Sequence, residues 1–189
     1  MVAVELDPVR PEPDASYERC AAAPLAQPDE VAVISAQLGR PSRGESAVVA
    51  RCAYGLPTVV RVAPHLRNGT PFPTVFWLTC PAMKSAIGTL EADHSMVGLN
   101  VRLADDEGFA ADYAAASDRY VAFRDELGGP LPGNPSAGGM PGHIKCLHVH
   151  AGHHLATGDN VVGAWAVEAA RPVRCDGPCV GADAVADQA

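Results

Sequence analysis

Three short β-type runs, set apart by turn chemistry, constrain the fold of this chain more than any other feature. Ser46 to Ala53 carries Val48 and Val49, Thr58 to Ala63 carries Val59, Val60 and Val62, and Thr74 to Thr79 carries Val75, Phe76, Trp77 and Leu78. The breaks, Tyr54-Gly55-Leu56-Pro57 and Asn68-Gly69-Thr70-Pro71, supply the glycine, proline and asparagine that turns require. Connections this short favour an antiparallel meander. In a meander the first and third strands run the same way, so they end at one edge of the sheet. Cys52 closes the first run and Cys80 the third, which places their backbones roughly 10 Å apart across the middle strand.

Helical signals surround these runs. Asp29 as N-cap, Glu30 in the first turn and Gly39 as the stop bracket a short helix ending at Leu38. Pro81 suits the first position of a helix running to about Ala92, with Met83, Ile87 and Leu90 on one face and Cys80 at the cap. A thiol at that place feels the positive end of the helix dipole, which predicts a lowered pKa for Cys80. From about Asp105 to Leu127, the residues Phe109, Tyr113, Ala116, Tyr120, Phe123 and Leu127 recur at steps of three and four, a stripe that reads as scaffold.

Residues 128–142 form a glycine–proline loop without the Gly-Lys-Ser/Thr ending of a phosphate-binding loop, so nucleotide binding is rejected on that ground. The loop reads as a lid or a disordered connector. Residues 1–28, with Pro8, Pro11, Pro13, Pro24 and Pro28, read as a disordered leader in which Cys20 has no role. The expected organisation is this leader, one α+β domain over 29–172 and a flexible tail over 173–189. The domain is a small three-stranded antiparallel sheet packed on about four to five helices.

The chemistry concentrates elsewhere. Lys145 to Gly158 places Cys146, His148, His150, His153 and His154 in one stretch, in a chain with six Cys and seven His. Thiolate and imidazole together are the donor set of zinc and, with more sulfur, of iron–sulfur clusters. If the stretch is helical from about Ile144, Cys146, His150 and His153 share about 60° of one face, and His148 points away. Cys175 and Cys179 have zinc-type local spacing but lie near a terminus. Glu91, Asp93 and His94 read as an exposed helix end.

Bulk properties narrow the class. A length of 189 residues suits one domain with a core. No apolar run spans a bilayer, and no basic-then-apolar N-terminus marks a signal, so the cytoplasm is the expected compartment and the thiols are expected to be reduced. A net charge of −8 argues against broad nucleic-acid binding.

The run Pro71 to Pro81, with Trp77-Leu78-Thr79-Cys80-Pro81 as its most specific piece, resembles a bacterial family known as domain of unknown function 501. Gln37-Leu38-Gly39-Arg40, Arg51-Cys52 with Gly55 and Pro57, Ile144 to His148, and His153 also look like its pattern. The resemblance covers roughly residues 30–165. It implies no activity, but it points to Cys52, Cys80, Cys146, His148 and His153. His150, His154 and the tail cysteines fall outside that pattern.

These readings give a zinc site built by Cys52, Cys80, Cys146 and a histidine, His153 before His148, which stabilises a binding or adaptor domain. The second tier of candidates is His150, His154, Asp159, Cys175 and Cys179. An iron–sulfur protein is one alternative. A small hydrolase with an open zinc position, or a thiol enzyme pairing Cys80 with His153, is another. The partner is an unidentified protein or small molecule.

Overall fold

The structure is a computed structural model that describes residues 13–170, 173 and 175–181. Three strands, β1 (Ser46–Arg51), β2 (Pro57–Val62) and β3 (Phe76–Leu78), form an antiparallel sheet in the order β1-β2-β3. The meander is the expected one, with β1 and β3 shorter than their apolar runs and β2 set one residue earlier. Among the described residues seven helices surround it: α1 (Pro13–Ala22), α2 (Pro28–Leu38), α3 (Pro81–Ala92), α4 (Ser95–Asp105), α5 (Glu107–Gly128), α6 (Leu147–Thr157) and α7 (Val161–Ala169). The fold is α+β.

Helix α6 lies at the centre, against β3, α7, α1 and α3. Its approach is close because two residues are glycine. A Cβ on Gly152 would sit 3.1 Å from the Phe76 carbonyl of β3. A Cβ on α7 residue Gly163 would sit 2.0 Å from the His150 carbonyl. The α5 stripe behaves as scaffold: Phe109, Tyr113, Ala116, Tyr120 and Phe123 are buried, with Leu127 packed beside them. Tyr120 also ties α5 to the sheet, since its hydroxyl accepts from Val75 N at 2.8 Å and donates to Pro73 O at 2.9 Å.

Three expectations need correction, and one unassigned stretch gains a helix. Residues 13–28 are not a disordered leader. They contain α1, whose Tyr17 and Cys20 are buried, and the Cys20 thiol donates to Ala156 O at 3.6 Å. The prolines flank this helix rather than interrupt it, and residues 1–12 lie outside the described residues. Residues 95–105, unassigned from the sequence, form α4. The 128–142 segment is neither lid nor disordered connector. The fully buried Arg124 donates to Asn134 Oδ1 at 2.7 Å and to Pro135 O, and Leu131, Ala137 and Met140 are buried. Helix α2 begins at Pro28 with Gln27 as N-cap, which puts Asp29 in its first turn. Its glycine stop holds, with Gly39 at φ 67°.

Candidate metal centre at the start of helix α6

The His-rich helix starts later than its pattern suggests, and that shift decides the site. Asn100 of α4 pairs with the backbone of Ile144 on both sides. Ile144 N donates to Asn100 Oδ1 at 2.9 Å, and Asn100 Nδ2 donates to Ile144 O at 2.9 Å. Lys145 N donates to Gly138 O at 2.8 Å. These bonds hold 144–146 extended, so Cys146 becomes the N-cap residue, at φ −152° and ψ 110°. It therefore leaves the helix face shared by His150 and His153.

Cys146 instead meets His148 and Glu91. The potential ligand atoms of Glu91, Cys146 and His148 lie within 4.8 Å of one another, and each residue is half-buried. Among the described residues, no other group of Cys, His, Asp or Glu meets that spacing. Glu91 belongs to the last turn of α3, and its Oε1 accepts from Leu147 N at 2.6 Å, which satisfies a free N–H at the start of α6. The same oxygen lies 3.1 Å from His148 Nδ1. His148 Nε2 donates to Lys84 O at 3.1 Å. A hydrogen bond with Cys146 and, against the opposing effect of burial, the Glu91 carboxylate and the Lys84 carbonyl raise the His148 pKa to about 9. The imidazolium is thus held by a cage of acceptors, which is also a cage for a cation.

The buried imidazoles serve the core. Asn160 Nδ2 donates to His153 Nδ1 at 3.0 Å, and His153 Nε2 donates to the Tyr17 hydroxyl. That hydroxyl donates to Asp159 Oδ2 at 3.1 Å, and Arg119 grips both Asp159 oxygens at 2.6 Å. Each donor in this chain has an acceptor, and the ring stacks on Phe76 at 5.7 Å. Burial pushes the His153 pKa well below its ordinary value. His150 Nε2 lies 3.1 Å from the Tyr113 hydroxyl, and burial lowers its pKa to about 4.

The sequence-derived ligand set is therefore divided. Cys146 and His148 come together. His153 does not join them, because both of its ring nitrogens are engaged in the core. Cys52 and Cys80 do not reach Cys146 either. They lie at one end of the sheet, as the meander requires, with Cys52 after β1 and Cys80 at the α3 N-cap. The Cys80 thiol also departs from expectation. Burial raises its pKa and outweighs the N–H groups of Met83 and Ala82 that pull it down, so the pairing of an ionised Cys80 with His153 as base has no support. Asp159 orients an imidazole only through Tyr17. His154 is half-buried at the crossing with Gly163 of α7. Cys175 and Cys179 are exposed.

Sequence reasoning missed Glu91 as a member of this group and read it as an exposed helix end. Its placement at the end of α3, beside the start of α6, is a tertiary fact, and no local spacing announces it.

A family profile described as a protein of unknown function, DUF501, matches residues 48–168. The chain belongs to the DUF501 family. The matched span contains Glu91, Cys146 and His148, whereas Tyr17 and the two tail cysteines of this DUF501 protein lie outside it. No curated protein and no solved structure matches the chain significantly. Among the described residues, no helix is long and apolar enough to cross a membrane.

Proposed function

We propose that this DUF501 protein binds a zinc-class divalent ion through Glu91, Cys146 and His148, in a reducing, cytoplasmic setting that keeps the thiol available. The observation that carries the reading is the orientation of His148. Its Nε2–H is committed to the Lys84 carbonyl, and its Nδ1 faces the Glu91 carboxylate. Metal-ligating histidines use this arrangement: one nitrogen donates to a backbone carbonyl and the other is directed to the ion. The ion would take the place of the Nδ1 proton, so affinity falls as pH drops below about 9 and proton competition grows.

One sulfur, one nitrogen and one oxygen suit zinc, and a single thiolate is too few for an iron–sulfur cluster. Such an ion would bridge the end of α3 to the start of α6 and so stabilise the domain. Three protein ligands leave a fourth position for water or for a donor group from a partner. Bound there, zinc supplies a Lewis acid that activates water, which is the basis of a hydrolytic reading. A second reading, a thiol–imidazole site without metal, draws on the hydrogen bond between His148 and Cys146.

Metal content of the full chain, purified without chelators, tests the proposal. Glu91→Gln and Cys146→Ser should each lose the ion, and cobalt in its place should show a thiolate charge-transfer band that Cys146→Ser abolishes. Unchanged metal content in both variants refutes the reading. Metal-free protein with a single fast-alkylating thiol at Cys146 selects the second one.

A further inference from the structure

Four of the remaining thiols share one end of the sheet. Strands β1 and β3 end there, and β2 begins between them at Pro57. Cys52 opens the turn from β1 to β2, where Cys52 N donates to Leu56 O and Gly55 N to Cys52 O, both at 2.9 Å. Cys80 N lies 3.5 Å from Thr58 O. After α7 the chain returns to this edge, because the Tyr54 hydroxyl donates to Cys175 O at 2.8 Å. Gln37 Nε2 donates to Pro57 O at 2.9 Å and to the Cys179 sulfur at 3.5 Å. The hydroxyl of Thr79, next to Cys80, donates to the same Pro57 carbonyl at 3.1 Å. One carbonyl thus has the neighbours of Cys80 and Cys179 on it, and Arg51, beside Cys52, is the strand partner of Pro57.

What holds the tail here is the question. Between its cysteines stand only Asp176, Gly177 and Pro178, with no large apolar side chain to bury. Among the described residues, the Tyr54 bond to the Cys175 carbonyl and a weak thiol acceptor at Cys179 are poor anchors for a chain end. Cysteines separated by three residues, opposite two more at strand ends, are by contrast a zinc-ligand pattern.

We propose that Cys52, Cys80, Cys175 and Cys179 form a second, closed zinc centre that clamps the C-terminal tail across the end of the sheet. It is independent of the Glu91 site. No three of its sulfurs lie within 4.8 Å of one another. Loading therefore draws Cys175 and Cys179, both exposed on the tail turn, inward toward Cys52 and Cys80. Tetrahedral coordination by four thiolates leaves no position for substrate, so this centre is structural.

Zinc content and thiol protection of the full chain, kept reduced, test this. The Cys175→Ser/Cys179→Ser double variant should hold one equivalent less than the parent, whether or not Glu91→Gln also loses one. In the loaded parent, Cys175 and Cys179 should resist alkylation and become reactive once a chelator is added. Because the tail thiols are exposed, their loss leaves the core intact. Unchanged zinc content in the double variant overturns the proposal. So do equal alkylation rates with and without chelator, or a disulfide joining any two of the four in freshly isolated protein.

Discussion

Replacing Gly163 with alanine isolates the contact that fixes helix α6, and its outcome can be set from the geometry. The new Cβ would lie 2.0 Å from the His150 carbonyl oxygen, 2.6 Å from His154 Cβ and 2.7 Å from His150 C. The first and last of these are helix backbone, so no rotamer change relieves them. The two helices would have to part by about 1 Å, and overpacking of this kind costs about 3 kcal/mol at the upper end of its usual range. Alanine in a helix returns about 1 kcal/mol through the unfolded chain. The clash wins, and the net loss is about 2 kcal/mol. Gly98, in the middle of α4 and exposed, has nothing within 4 Å of its would-be Cβ. There the same substitution should stabilise by about 0.5–1 kcal/mol. Urea unfolding of the two variants and the parent measures both, as a lower midpoint for Gly163→Ala and a higher one for Gly98→Ala. A Gly163→Ala protein at least as stable as its parent would refute the claimed closeness of α6 and α7.

Three further outcomes follow from buried groups. Tyr17→Phe leaves the His153 Nε2–H without an acceptor and should cost about 1–3 kcal/mol in urea unfolding, whereas an unstructured leader would make it silent. Acid should weaken the fold through His150. Its pKa is lowered to about 4, so the unfolded state takes the proton first, and stability falls as pH drops from the unfolded value of about 6.5 toward about 4. That amounts to about 2 kcal/mol by about pH 5, with His153 acting in the same direction. His148 acts oppositely. Its raised pKa gives stability that is full below about 6.5 and lost as pH rises through about 9, but its exposure to solvent makes the offset partial. Denaturation midpoints across this range in a His148→Gln background should fall with acid, and a flat profile would contradict the burial of His150. Arg124→Met strands the Asn134 and Pro135 acceptors and should cost about 2–3 kcal/mol, with faster amide exchange over residues 128–142.

Local pattern carried the reading far where the controlling physics is local. The meander, the α5 stripe, the proline start of α3 and the glycine stop of α2 were all legible, because turn chemistry and side-chain periodicity act within a few residues. The α1 helix was not. Its ten residues bury Tyr17 and Cys20 against α6 and owe their order to that contact rather than to composition. The late start of α6 was hidden for the same reason, since the bonds that keep Ile144 extended come from Asn100, far away in the chain.

For the candidate site, the sequence by itself determined two of the three donors, Cys146 and His148, which stand together in the stretch after Lys145. It also determined that Cys52 and Cys80 lie at the same end of the sheet, because strand direction in a meander leaves no choice. Which groups become neighbours was decided only by tertiary structure. Helix α3 delivers Glu91 to His148, the core takes His150 and His153 for its own hydrogen bonds, and the returning tail brings Cys175 and Cys179 to the end of the sheet where Tyr54 and Gln37 hold them. The physical reason is that ligand sets depend on approach between elements, and that approach is set by the summed packing of the whole core rather than by spacing within any one segment.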